Sequence, residues 1–326
     1  MLRTGVIGAG HLGKIHIKLL LENPRIRLEG FFDSGKNAAQ EVQKQFNLKA
    51  FGTAEELIQT CDALVIASPT PSHYLYAKEC LQRGKHVFIE KPLTATLSEA
   101  EEIATLEKQS GLTVQTGHVE RFNPAFKAAV PFISDPMFIE GHRLAQFNPR
   151  GTDVSVVHDL MIHDIDIVLS VVKSEVKNIY ASGVAVVSDT PDIANARIEF
   201  ENGCTANLTA SRISMKNMRK ARFFQHNAYI SVDFLEKKAS ILELHEVKGT
   251  PDPLSVIIDL REKGQKQIYI HDPKIENNNA IQEEHEQWID AILSKKPVSI
   301  NAAAGAAAVR VANKIAETIQ PILKYA

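Results

Sequence analysis

The chain has 326 residues (36.1 kDa), 44% of them hydrophobic, which at about 100–200 residues per domain predicts two domains with ordinary cores. With 37 Lys+Arg against 39 Asp+Glu, its formal net charge of −2 provides no basic field to draw nucleic acid or an anionic membrane surface, so neither is an expected partner. Cys61, Cys80 and Cys204 are scattered and odd in number, which argues against a disulfide framework or a Cys-rich zinc module and for a reducing cytoplasm, and no apolar run suggests a signal peptide or reaches the ~18 residues of a membrane span.

In the first third, short β-rich runs alternate with amphipathic stretches. Strands are predicted over 2–7, 28–32, 63–67, 86–89 and 112–115, and helices over 11–21, 37–46, 54–60, 72–83 and 97–109. This alternation implies an α/β domain over residues 1–123, a doubly wound parallel sheet of the Rossmann kind with right-handed crossovers. The rhythm then changes. Residues 124–326 are predicted to form an α+β domain on an open, mostly antiparallel sheet, with strands over 137–147, 177–187, 194–200, 204–211, 222–226 and 228–232. An apolar helix over 157–172 interrupts that sheet, and helices over 279–293 and 303–319 close the chain, expected to pack back toward the first domain.

Gly8-Ala9-Gly10-His11-Leu12-Gly13 follows the first predicted strand and opens the first helix. Gly8 permits a tight turn, Gly10 lets backbone approach a diphosphate, and Gly13 allows helix to pack closely on sheet. The helix N-terminus, with His11 and Leu12 in its first turn, offers free N–H groups and a positive dipole to phosphates. A glycine turn without ligand is the bland alternative. Against it stands Asp33, 20 residues after Gly13 at the end of the second strand, where a carboxylate accepts from ribose hydroxyls. That carboxylate repels a 2′-phosphate, so NAD is favoured over NADP, with nearby Lys36 softening the preference. Ser68-Pro69-Thr70-Pro71-Ser72-His73 follows the strand over 63–67, and Ser68, Pro69, Thr70 and His73 are candidates to line the nicotinamide-ribose side; a proline turn with Ser72 as helix cap explains the string equally well.

Glu90-Lys91-Pro92 closes the strand over 86–89, and Pro92 holds Lys91 extended, so its ammonium can project from the sheet's carboxyl edge. Beside a cationic nicotinamide a buried lysine loses proton affinity and becomes usable as an acid or base. A surface ion pair between Glu90 and Lys91 is the plain alternative. Further along, His158 to Asp166 packs two histidines and three aspartates into nine residues of an apolar helix. At about 100° per residue, Asp159, His163 and Asp166 fall within about 60° of one another, a polar stripe suited to an imidazole that moves a proton and a carboxylate that orients it. A satisfied core histidine with capping aspartates is the alternative there. The same residues raise a metal site, but His158 and Asp164 point away from the stripe and no metal is expected.

These motifs resemble one family, the glucose-fructose oxidoreductase, inositol dehydrogenase and MocA group (Gfo/Idh/MocA). The likeness runs through the glycine motif, Glu90-Lys91-Pro92, the Asp159, His163 and Asp166 pattern, and the closing helix pair. It implies an NAD(P)-dependent oxidoreductase moving hydride between a sugar or polyol carbinol and nicotinamide, assembled as a homodimer or homotetramer through the second sheet. By resemblance, Lys91, Asp159 and His163 surround the reacting carbinol, and Glu90 belongs with Lys91 to the cofactor-side motif. Val156-Val157-His158 and Met161 stand where many members carry glycines. The string from Gly117 to Pro124, with the one from Asp159 to Asp166, looks most similar to the branch that oxidises UDP-N-acetylglucosamine at its 3-position. Arg121, Asn123 and Asp166 are the substrate candidates this suggests, Arg121 for a diphosphate or as an ion pair with Glu120. Two other readings stay open: a non-catalytic NAD-binding or regulatory protein of the same fold, and a metal-dependent hydrolase.

Overall fold

Short strands of Val, Ile, Leu and Phe with no polar alternation need cover on both faces, and a parallel sheet flanked by helices supplies it. The computed structural model describes residues 1–148, 154–247, 256–259, 261, 264–276 and 278–319, so the tail of the predicted second domain, 320–326, lies outside the described residues. Contacts divide the chain into one unit of Met1–Val119 with Asn279–Arg310, and another of Glu120–Asn278 with the residues from Val311 onward.

The first unit runs β1 (Leu2–Ile7), α1 (His11–Leu21), β2 (Ile26–Phe32), α2 (Lys36–Phe46), α3 (Ala54–Thr60), β3 (Ala63–Ile66), α4 (His73–Gln82), β4 (His86–Glu90), α5 (Leu97–Ser110) and β5 (Val114–Gly117). Every pairing is parallel and the order is β2-β1-β3-β4-β5. Strand order therefore reverses between β1 and β3, the point where such sheets open a ligand crevice at their carboxyl ends. Termini obey local chemistry. A capping box between Thr96 and Glu99 starts α5, and Gly111 at φ +67 ends it. That cap displaces β5 from the predicted 112–115 to Val114–Gly117.

The second unit begins with a 3-10 turn (Val119–Phe122) and α6 (Pro124–Ala129), then β6 (Phe138–Leu144), a π turn (Val157–Met161) running into α7 (Ile162–Val171), and β7 (Val176–Val184), β8 (Ile193–Phe200), β9 (Thr205–Ser211), β10 (Met218–Gln225), β11 (Ala228–Asp233), β12 (Lys238–Glu246), β13 (Val256–Asp259) and β14 (Gln265–His271). The nine strands are ordered β13-β14-β12-β11-β10-β6-β9-β8-β7. All pair antiparallel except β6 with β9, which is parallel. The sequence predicts six of these strands. It misses β12 and β14, where lysines, glutamates and histidines interrupt the apolar pattern, and the four-residue β13, and it starts β10 at 222 because Met218–Lys220 are exposed on the strand.

Alternation in β8 buries Ala194, Ala196, Ile198 and Phe200 while Asn195 and Arg197 face out. On the inner face lie α6 against β11 and β12, and α7 against β6 and β9. The opposite face carries a transverse apolar row, because pairing register sets Phe138, Phe224, Tyr229, Leu242 and Ile270 side by side across five strands. The last helices are α8 (Ala280–Ser294) and α9 (Ala302–Thr318). Trp288, Ile289 and Ile292 of α8 join Val6, Ile17, Phe31 and Phe88 in one core of the first unit, and Ala302, Ala306 and Val309 of α9 join Leu64, Ile89 and Val114 in the other. Among the described residues, no helix is long and apolar enough to cross a membrane.

Candidate active site

Gly8 sits at φ +94, and a Cβ there would lie 2.4 Å from the backbone nitrogen of Ser68. The turns after β1 and β3 thus touch at the switch point, and only glycine fits between them. A Cβ on Gly13 would stand 2.0 Å from the carbonyl oxygen of Gly8, whereas one on Gly10 would meet nothing within 4 Å. Gly10 therefore keeps an open approach to the backbone. It is also the N-cap of α1, with no side-chain cap and no acidic residue in the first turn, which leaves N–H groups and dipole for an anion. His11 and Leu12 are exposed beside it. Asp33 accepts from Ala9 N at 2.7 Å through Oδ2 and from Gly35 N at 2.8 Å through Oδ1. Its carboxylate braces the glycine loop and retains lone pairs for ribose hydroxyls. This chain's residues fit a dinucleotide: free amides at a helix N-terminus, a glycine cradle and an acid at the end of β2.

In the turn after β3, the Ser68 and Ser72 hydroxyls are 2.7 Å apart, and Ser72 Oγ donates to Pro69 O. Pro69 is exposed, and Ser68 and Thr70 are half-buried. His73 departs from expectation. Its ring is buried, with Nε2 2.7 Å from Ser68 O and Nδ1 3.0 Å from Pro92 O. Burial pushes its pKa down, the two carbonyls working the other way. The ring ties the turn after β3 to the turn after β4, so it shapes the loop from within and offers no polar atom to a ligand.

At the end of β4, Glu90 turns inward. Its buried carboxylate accepts from His16 Nε2 at 2.8 Å through Oε1 and from the backbone N–H of Lys91 at 3.2 Å through Oε2. Burial alone would raise Glu90, but the bond to and charge of His16, together with Lys91, hold it below the usual range. The side chain thus anchors the motif from below. Lys91 is half-buried, and its bond to Pro92 is cis.

In the second unit the nine-residue cluster is dispersed by its partners. His158 Nε2 lies 2.7 Å from Asn313 Oδ1. Arg143 donates to both oxygens of Asp164, at 3.0 and 2.9 Å, and to Glu120 at 2.8 Å. Arg121 grips Asp166 in two bonds, at 2.7 and 2.5 Å, and not Glu120. Asp166 is buried, 1% exposed, with its carboxylate held by Arg121, while Asp159 lies in the π turn and His163 in α7. Asn123 is also structural. Its amide donates to Glu120 and to Phe234 O while its oxygen caps α6 at Ala125 N. Asp159 and His163 are half-buried, as is His158, whose Nε2 faces Asn313. Among the described residues, no group of three or more His, Cys, Asp or Glu is arranged to hold a metal.

Sequence reasoning missed His16, His285 and Arg143, and gave Glu120 to Arg121 where it pairs with Arg143. The available signal was a polar residue on an apolar helix face: His16 between Ile15 and Ile17, and Glu284 and His285 on the stripe that carries Trp288 and Ile292.

A five-stranded parallel sheet with a glycine loop and a β2 aspartate at its switch point defines a dinucleotide-dependent oxidoreductase. Comparison with known proteins agrees: residues 2–118 match the oxidoreductase family with NAD-binding Rossmann fold, and residues 135–230 match the GFO/IDH/MocA C-terminal domain. The chain is 32% identical to UDP-N-acetylglucosamine 3-dehydrogenase of Acidithiobacillus ferrooxidans over 99% of both chains. A solved structure of that enzyme covers 98% of each chain with a TM-score of 0.87 at 31% identity. Inositol 2-dehydrogenase of Rubrobacter xylanophilus is 32% identical over 56% of this chain and 55% of its own, and scyllo-inositol 2-dehydrogenase (NAD(+)) of Bacillus subtilis is 28% identical over 65% and 68%. The protein belongs to the GFO/IDH/MocA family of oxidoreductases, and NAD is its cofactor.

Proposed function

We propose that this enzyme oxidises UDP-N-acetylglucosamine at its 3-hydroxyl. The observation that carries this reading is end-to-end likeness: the UDP-N-acetylglucosamine 3-dehydrogenase matches over 99% of both chains, the inositol dehydrogenases over 55–68% of theirs. NAD, held by the Gly8–Gly13 loop and Asp33, supplies the hydride acceptor. Lys91 and His163 share the proton of the reacting hydroxyl, and Asp159 orients His163. Arg121, whose guanidinium is committed to Asp166, serves the second unit as a brace.

The test is NADH formation, followed by absorbance, with UDP-N-acetyl sugars, free sugars and inositols in parallel. Reduction of NAD with UDP-N-acetylglucosamine is expected; reduction only with a free sugar or inositol refutes the substrate and keeps the reaction class. Lys91→Ala and His163→Ala should each lower turnover by about 10²–10⁴ with NAD binding retained. Unchanged turnover in both removes them from the chemistry.

The reading of a homodimer or homotetramer through the open sheet face is supported by the row Phe138, Phe224, Tyr229, Leu242 and Ile270, apolar surface of the kind an interface covers. The three cysteines are free and buried, in keeping with a reducing cytoplasm.

A further inference from the structure

The π turn that carries Asp159 is held at its entry by residues distant in sequence, all of them in the second unit. Ser155 is the hub. Its carbonyl oxygen accepts from the N–H groups of His158 and Asp159, each at 3.0 Å, and its hydroxyl oxygen accepts from Val157 N at 3.3 Å. Both neighbours of Ser155 are fixed in turn. Val154 O accepts from the guanidinium of Arg212, and Val156 N donates to Pro191 O at 3.3 Å.

Arg212, which follows β9, and Pro191-Asp192, which precede β8, form one platform. Arg212 N donates to Asp192 O at 2.9 Å, and Arg212 Nε stands 3.8 Å from Asp192 Oδ1. The Asp192 carboxylate also gathers the N–H groups of Val186, Val187 and Ser188, at 2.7, 2.7 and 3.0 Å, and the Ser188 hydroxyl. Asp192 is fully buried and Arg212 is 6% exposed. Burial works against the carboxylate's charge, but the Ser188 hydroxyl and the three N–H groups hold its pKa down at about 2. It is therefore ionised near neutrality, a fixed counter-charge for the guanidinium.

A π turn is a rare and irregular piece of helix, so where it places its side chains depends on how its two ends are held. Downstream, Ile162, Ile165, Ile167 and Val168 bury α7 in the core and fix His163 with it. Upstream, the hold on Asp159 is the Ser155 hub. We propose, building on the role given to Asp159 above, that Arg212 and Asp192 are positioning residues for Asp159: acting through Ser155, they fix the backbone of the π turn and so the station of Asp159 in the reaction. Arg212→Met removes the donor to Val154 O while Asp192 keeps the N–H groups and hydroxyl of its own loop, and Arg212→Lys keeps a cationic donor.

Kinetics of the full-length enzyme with NAD and UDP-N-acetylglucosamine test this. In Arg212→Met kcat should fall about 10–100-fold with NAD affinity by calorimetry unchanged, and Arg212→Lys should recover part of the loss. In an Asp159→Asn background the same Arg212→Met change should cost little more, because the residue it acts through is already disabled. A factor that is equal in both backgrounds marks a brace with no link to Asp159 and overturns the proposal. Should Arg212→Met fail to fold, Ser155→Ala, which removes only the acceptor of Val157 N, must show the same non-additivity. Hydrogen exchange needs no turnover: the amides of His158 and Asp159 should exchange at least about tenfold faster in Arg212→Met, with those of Ile165 to Val168 unchanged. Protection equal to the parent at all of them overturns the proposal. Full turnover in Asp159→Asn would overturn the role of Asp159 itself, and the exchange data then report on the hold of the turn alone.

Discussion

Replacing Arg143 by Met should cost the second unit about 4 kcal/mol. The guanidinium is 2% exposed and is the shared partner of two buried carboxylates, Asp164 in two bonds and Glu120 in one. Burial works against its charge, but Asp164 and Glu120 outweigh that and raise its proton affinity. Removing one partner of a buried pair typically costs about 3–5 kcal/mol, since the remaining charge is left without water or counter-ion. Glu120 keeps Arg219 at 3.7 Å and Asn123 at 3.1 Å, so the loss falls mainly on Asp164. A cost of about 4 kcal/mol is roughly a thousandfold in the unfolding constant, readable by urea denaturation. The pH dependence has a definite sign. Burial raises the Asp164 carboxyl with Arg143 opposing, and without Arg143 it rises further. A group raised in the folded state costs stability when pH is above its folded pKa, and the cost disappears as it protonates, so the deficit of Arg143→Met narrows from pH 7 toward ~4. Asp164→Asn in the same background should recover part of the loss. A deficit below about 1 kcal/mol at pH 7, or one that does not change with pH, would refute the reasoning.

Gly13→Ala should weaken NAD binding at least about tenfold in a calorimetric titration, because its Cβ would meet Gly8 O at 2.0 Å and displace the loop. Asp33→Ser removes the carboxylate that braces Ala9 and Gly35; NAD affinity should fall and NADP affinity rise, narrowing the ratio by about tenfold or more, as read from KM values for the two cofactors. Leu242→Lys puts a charge in the middle of the open apolar row and should shift the assembly toward monomer by light scattering, with the fold intact by circular dichroism.

What was legible in the sequence is what local chemistry controls. The predicted bounds of β1, α1 and α3 coincide with the observed ones, since each is delimited by glycine, a cap or a polar turn. The glycine loop and Asp33 follow from spacing along one βαβ unit. Long-range pairing was not legible. Arg143 meets Asp164 and Glu120 across 21 and 23 residues, and His285 meets His16 across 269, distances over which periodicity carries no information. Nor were the partners of the aspartates legible: the three of one short segment went to different fates, Asp164 to Arg143, Asp166 to Arg121, and Asp159 to a half-buried position. β12 was hidden because Ala239 and Ile241 are its deeply buried apolar positions, separated by Ser240 and flanked by charge.

The first unit is discontinuous, and that bears on how the protein is made. Its sheet is complete once Gly117 has been added, yet Trp288, Ile289 and Ile292 belong to the core on one face and Ala302, Ala306 and Val309 to the core on the other. Gly305 comes so near to Thr116 that a Cβ would lie 2.5 Å from its hydroxyl oxygen. At about 5–20 residues per second, the roughly 160 residues between Val119 and Asn279 take about 10–30 s to synthesise. Throughout that interval the nascent dinucleotide-binding unit stands beside the ribosome with both apolar faces only partly covered, a natural client for a chaperone, and it can mature only when translation is nearly finished.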